Sequence, residues 1–135
     1  MPEEIRISVA SDTDIVGARQ KGRALAGELG FSPTESTFVA TAISELARNI
    51  VSYAKEGEIL IHPVQNSDTK RKGIVIVARD EGPGIANPVR AMQGGYSTSG
   101  SLGLGLPGVR RLMDEFEMNS SPGKGTTVTV KKWLR

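Results

Sequence analysis

Ala42-Ile-Ser-Glu45-Leu-Ala-Arg48-Asn49-Ile-Val-Ser-Tyr53 is the stretch on which the fold turns. Apolar residues at Val39, Ile43, Leu46, Ala47, Ile50 and Tyr53 keep the spacing of a helix with one buried stripe. Glu45 and Asn49 are four apart, so they project from one face with Cβ atoms about 5–6 Å apart. A carboxylate and a neutral amide oxygen at that separation can hold a Mg²⁺ ion and take a proton from an attacking hydroxyl. The competing reading is a solvated helix face with Glu45 and Arg48 as an exposed i,i+3 pair. The rest of the chain decides between them.

Upstream, Ile5-Arg-Ile-Ser-Val9 alternates as a strand does. Ser11 or Asp12 caps a helix running to Leu29, and Gly30 is placed to end it. Ser32-Pro33-Thr34-Glu35 has the form of a capping box with proline at the first helical position, and the helix it opens should fray over 55–57. Residues 59–61 and 74–77 read as strands joined by a polar loop over 65–72. The run Ile74-Val-Ile-Val77 suggests a central strand buried on both faces. Downstream, the pattern predicts a short segment over 88–92, a loop over 93–102 and a helix over 106–116. A strand over 117–120, a turn over 122–125 and a strand over 126–133 close the chain, with Trp133 in or near the core. Two early helices and later strands predict an α+β two-layer sandwich, a mixed β-sheet covered on one face by helices.

Composition narrows the chemistry. A chain of 135 residues is expected to form one domain. A net charge of +2 gives no reason to expect nucleic acid, and Lys70-Arg71-Lys72 reads as a solvated loop. With no cysteine and a single histidine, His62, thiol chemistry and multi-histidine metal sites are excluded. His62, beside Pro63 at a strand end, reads as structural. No apolar run approaches the roughly 20 residues of a membrane span and no signal-peptide pattern opens the chain. The expected compartment is the cytoplasm.

Three glycine clusters punctuate the second half. In Asp80-Glu-Gly82-Pro-Gly84 an acid ends a buried strand before a tight turn. Such a carboxylate can accept from an exocyclic amine while the glycines let a flat ring approach the backbone. In the run from Gly94 to Gly108 six glycines and several hydroxyls lead into a helix N-terminus, whose free amides suit phosphate. Gly103-Leu-Gly105-Leu-Pro-Gly108 spells the dinucleotide fingerprint. It lacks the preceding strand and the acid about 20 residues on, so the Rossmann reading is rejected, and no Walker A sequence exists. Gly123-Lys-Gly125-Thr126-Thr127 opens the last strand as a hairpin turn.

The order Glu45-x-x-x-Asn49, Asp80-x-Gly82-x-Gly84, Gly103-x-Gly105 and Gly125-Thr126 resembles the GHKL (Bergerat-fold) ATP-binding family, which includes gyrase, the Hsp90 chaperone, histidine kinases and MutL. The resemblance implies ATP binding by Asn49, Asp80, Gly82, Gly84, Ile85, Gly100, Gly103, Leu104, Gly105 and Thr126. It makes Asn49 the Mg²⁺ ligand, Asp80 the reader of the adenine amine with Thr126 in support through water, and 93–105 a lid. Ser44–Ile50, the run from Tyr96 to Phe116 and the ending Lys132-Trp-Leu-Arg135 are most similar to the small bacterial serine kinases that regulate sigma factors, in particular the switch kinases of the stressosome. That implies a protein serine/threonine kinase with Glu45 as catalytic base. STAS-domain scaffold or antagonist proteins would be its substrates and a PP2C-type phosphatase the partner it activates once released. Two alternatives stand beside it: an anti-sigma factor kinase that binds a sigma factor directly, and a nucleotide-gated binding module in which catalysis is incidental.

Overall fold

The protein is seen in a computed structural model that describes residues 4–82, 105–120 and 123–135. Strand β1 (Ile5–Val9) leads into helices α1 (Asp12–Leu29) and α2 (Pro33–Ala54). Strands β2 (Gly57–Gln65) and β3 (Lys72–Asp80) follow, then helix α3 (Gly105–Leu112) and strands β4 (Glu115–Ser120) and β5 (Thr126–Trp133). The segments expected over 88–92 and 93–102 lie outside the described residues.

The helix boundaries follow from side-chain caps. Ser11 Oγ accepts from the Asp14 amide at 3.4 Å, and Asp14 Oδ2 accepts in return from Ala10 N–H at 2.9 Å. Ser32 Oγ accepts from Glu35 N–H at 3.1 Å, with Pro33 in the first turn. Each cap satisfies amides that have no partner within their helix, and each is worth about 1 kcal/mol. Helices α1 and α2 form a close antiparallel pair because α1 turns small residues toward it. A Cβ on Gly22 would lie 2.0 Å from Ile43 Cδ1.

The five strands are ordered β1-β2-β3-β5-β4. Every described junction is antiparallel, which corrects the expected mixed sheet. The cause is the helix pair: two helices in succession return the chain to the end of the sheet it left, so β2 runs against β1. Strand β3 is central as expected. Its inner face, Ile74, Ile76 and Ala78, packs under the helices with Ile59, Ile61, Val128 and Val130 of its neighbours. Ile43, Leu46 and Ile50 of α2 are buried against them, and burying each such side chain stabilises by about 1.5–3 kcal/mol.

The outer sheet face carries no described helix. Leu60 and Val75 there are nevertheless 7% and 4% exposed, and Val77 is half-buried. Among the described residues, then, the sheet's second face is partly buried without a helical layer over it. Trp133 belongs to this face. It is half-buried over Gly73 and its Nε1 donates to Glu115, whereas the core positions of its strand are Val128 and Val130. His62 sits inside β2 rather than at its end, and Pro63 follows just past the last β1 pair, Ile5 with Ile61.

Helix α3 stops at Leu112, four residues short of the expected end. Val109, Met113 and Phe116 keep a helical spacing, yet Asp114 N–H donates to Lys131 O at 2.9 Å and Phe116 pairs with Val130. Pairing with β5 wins over continuing the helix. Lys132 Nζ, itself 7% exposed, donates to the Leu112 carbonyl at 3.0 Å and closes the helix end.

On the outer face Glu58 lies between two arginines. Arg79 Nε donates to its Oε1 at 3.0 Å, and Arg6 stands 3.5 Å from Oε2. The Arg79 hydrogen bond first, then the charges of Arg6 and Arg79, hold its carboxyl below the usual value of 4.5, outweighing the opposing effect of desolvation. A lowered carboxyl contributes stability above the unfolded-state value, and that contribution is lost as pH falls through the folded-state value. Thermal melts of Glu58→Gln are expected to show a small loss at pH 7, limited by solvent screening, that closes as pH drops below 4.5. A gap that persists in acid would place the effect in packing instead.

Candidate functional site

At one end of the sheet the strands meet α2 and α3 in a cleft. Its apolar lining is Leu46, Ile50, Ala78, Leu106 and Val128, and its polar lining is Asn49, Tyr53, Asp80 and Thr126. Asp80 is the last residue of β3. It faces Gly57 of β2 on one side and Thr126 of β5 on the other. Its Oδ1 accepts the Gly82 N–H at 2.9 Å, turning the chain at once. Gly82 packs on α2, where a Cβ would come within 2.5 Å of Ala54 Cβ. Gly125 is held just as closely: its φ is +82°, and a Cβ there would lie 2.2 Å from the Asp80 carbonyl oxygen. That close approach lets β5 start directly beside Asp80 and brings Thr126 opposite it.

Thr126 Oγ1 and Ser120 Oγ are 2.8 Å apart, and Ser120 Oγ also donates to the Gly125 carbonyl at 3.3 Å. The sequence reading did not single out Ser120. The hairpin pairing that places it opposite Thr126 was its only available signal.

Glu45 and Asn49 are one turn apart on α2, as expected, but their surroundings differ. Asn49 is half-buried in the cleft. Glu45 is 6% exposed, and its Oε1 accepts the N–H of Gly105, the first residue of α3, at 3.1 Å. Arg48 Nε stands 3.7 Å from Glu45 Oε2, beyond hydrogen-bond reach, and is buried with no hydrogen-bond partner among the described residues. The i,i+3 ion pair of the competing reading is present, but not on a solvated face: the carboxylate is buried at a helix N-terminus, where free amides and the helix dipole favour it. Gly82 and Gly105 join Asn49, Asp80 and Thr126 around this end of the sheet. Gly84, Ile85, Gly100, Gly103 and Leu104, with all of the lid expected over 93–105 except Gly105, lie outside the described residues.

The cleft has room for only about 20 Å³, close to one water, so a flat base enters only as its walls part. A larger groove of about 750 Å³ runs past the other side of Asp80 along Ser8, Glu58, Arg79, Lys124 and Thr127. Its lining is mostly polar and charged, with Val9, Ala10 and Ala54 as its apolar members. The narrow cleft, with apolar walls and polar groups at one end, has the chemistry of a nucleotide pocket.

The chain belongs to the family described as histidine kinase-like ATPase domain, which it matches over residues 9–132. It is 50% identical over 135 residues, all of both chains, to the serine/threonine-protein kinase RsbT of Bacillus subtilis (strain 168). It is 34% identical over 120 residues to the anti-sigma F factor of Caldanaerobacter subterraneus subsp. tengcongensis, covering 87% of this chain and 83% of that one. Among solved structures, the RsbU and RsbW domains of Rv1364c from Mycobacterium tuberculosis align with a TM-score of 0.63 over 99% of this chain. At 18% identity that likeness shows the fold alone, and this chain spans 33% of that one. ATP as the nucleotide and the serine/threonine kinase reading of the sequence stand on the family match and the full-length relative.

Two glycine substitutions probe the geometry around Asp80. Gly125→Ala combines a strained φ with a backbone clash, so β5 must shift away from Asp80. A stability loss of several kcal/mol in urea melts is expected, together with weaker ATP binding. Gly123→Ala shares the positive φ of +78° but meets nothing within 4 Å. It is expected to lose only about 1–2 kcal/mol and to bind ATP normally. Equal behaviour of the two variants would remove the argument from close approach.

Proposed function

We propose that this chain transfers the γ-phosphoryl group of Mg-ATP to a serine or threonine of a STAS-domain scaffold or antagonist protein. Once released from that substrate it activates a PP2C-type phosphatase. The observation that carries the kinase reading is the buried Glu45 one turn from Asn49 at the edge of the nucleotide cleft. Full-length likeness to a serine/threonine-protein kinase supports it.

In this reading the adenine lies on Ala78 and Val128, with its amine at Asp80. The substrate hydroxyl oxygen forms a bond to the γ-phosphorus, the bond to the bridging oxygen breaks, and ADP departs. Glu45 takes the hydroxyl proton. Gly105 engages Oε1, which orients the carboxylate and leaves Oε2 for the proton. Phosphoryl transfer rests mainly on such positioning and on neutralising phosphate charge.

Among the described residues no three His, Cys, Asp or Glu side chains cluster as a cage for a metal. A divalent ion held chiefly by phosphate oxygens and water, with Asn49 as its protein oxygen, fits that donor set and suits Mg²⁺. Its chemistry there is charge neutralisation. Among the described residues no helix is long and apolar enough to cross a membrane.

The anti-sigma F factor likeness favours a second reading, in which the protein partner is a sigma factor held directly. Pull-downs with a sigma factor and with a STAS-domain protein separate the two.

Glu45→Gln keeps an oxygen for the Gly105 amide but cannot take the proton. It is expected to bind ATP normally and lose transfer by about 10²–10⁴-fold. Asn49→Ala is expected to weaken ATP binding in Mg²⁺ and to change little without it. The measurements are ATP titration with and without Mg²⁺ and radiolabel transfer to a STAS-domain protein. Wild-type transfer by Glu45→Gln would overturn the role of the base.

A further inference from the structure

Ser120, Thr126 and Asp80 form a row across the end of the sheet: Ser120 pairs with Thr126 in the β4–β5 register, and Thr126 pairs with Asp80 in the β5–β3 register. Counting protons along the row shows what it can bind. Ser120 Oγ is 3.3 Å from the Gly125 carbonyl oxygen and 2.8 Å from Thr126 Oγ1. A carbonyl only accepts, so the single hydroxyl proton of Ser120 goes to Gly125. Either hydroxyl can donate across the shorter contact, and with the Ser120 proton on Gly125 it runs from Thr126 to Ser120. That uses the only proton Thr126 has, and its oxygen presents lone pairs to the cleft. Opposite it, Asp80 already accepts from Gly82 N–H through Oδ1, and a carboxylate likewise has only lone pairs to offer.

We propose that Ser120 is a specificity-determining positioning residue. By holding the proton of Thr126 it turns Asp80 and Thr126 into an acceptor-only pair. Such a pair takes a base edge carrying an exocyclic amine, directly or through a water, and rejects a carbonyl in the same place. The inference rests on Asp80 facing the nucleotide base and assigns the polarity of that contact to a residue outside the cleft lining. Without the Ser120 hydroxyl, the Thr126 O–H turns to donate toward the cleft, and a carbonyl then finds a partner it lacked.

The test uses the full chain and two nucleotides, ATP and inosine triphosphate, which carries a carbonyl where ATP carries the amine. Wild type is expected to prefer ATP by about 10–100-fold, the usual cost of an unmatched buried polar group. Ser120→Ala is expected to narrow that ratio about tenfold, as one mismatch is relieved, with the nucleotide-free thermal midpoint maintained. Ser120→Thr keeps a hydroxyl and should keep the ratio. Thr126→Val removes the acceptor and should narrow the ratio by itself, and adding Ser120→Ala to it should change nothing further, because both act through one group. An unchanged ratio in Ser120→Ala, or equal further narrowing in the Thr126→Val background, overturns the role of Ser120. A wild-type chain that binds both nucleotides equally overturns the placement of the base at Asp80, a separate failure.

Discussion

The hydrogen bond from the Gly105 amide to Glu45 joins residues 60 apart in sequence and sets the position of α3. Eight residues are too few for a helix to persist alone. This one is held at both ends by buried charge of the favourable sign, with Glu45 at its N-terminus and Lys132 on the Leu112 carbonyl at its C-terminus. Lys132 also stands over the Phe38 ring, 5.6 Å from its centre. Both ends of α3 are therefore tied to α2, one directly and one through the lysine. Glu45 carries structure as well as the chemistry proposed for it, so an alanine there orphans a buried amide in addition to removing a carboxylate.

In the proposed function the site divides its work between two layers. There the sheet would supply recognition, through Asp80 and Thr126 at adjacent strand ends with Ala78 and Val128 beneath. The helices would supply the reactive groups, Glu45 and Asn49, with Leu106 as a wall. Because α2 is packed on the sheet through Ile43, Leu46 and Ile50, the two sets are held in register by the core itself. Helix α3, the shortest described, closes the cleft with Leu106 and is seated in the same core through Val109.

Local chemistry was legible in the sequence. The two N-caps, the glycine after α1, the proline opening α2, the central strand and the hairpin before Thr126 each rest on residues close together in the chain, and each is found. Asp80 was legible from its place at a strand end before two glycines, whereas Thr126 was joined to it only through the family resemblance. What escaped depends on distant partners. The overrun of α3 came from Met113 and Phe116, whose spacing suits a helix until β5 pairs with Phe116. The burial of Glu45 depends on a helix 60 residues away. Trp133 was expected near the core, but strand alternation turns it to the outer face. The part played by Ser120 becomes visible only once β4 and β5 are paired.

The antiparallel joint between β3 and β5 has a kinetic side. Its end pair, Asp80 with Thr126, closes a loop of roughly 45 residues, whereas β2 and β3 meet through a short turn. Contacts that close long loops form late, because the entropy of closure is lost before the contact gives anything back. A ligand seated between Asp80 and Thr126 acts as a temporary cross-link at that late-forming joint. In the proposed binding mode, nucleotide binding would be coupled to the folding of this chain through the rate at which the joint comes apart.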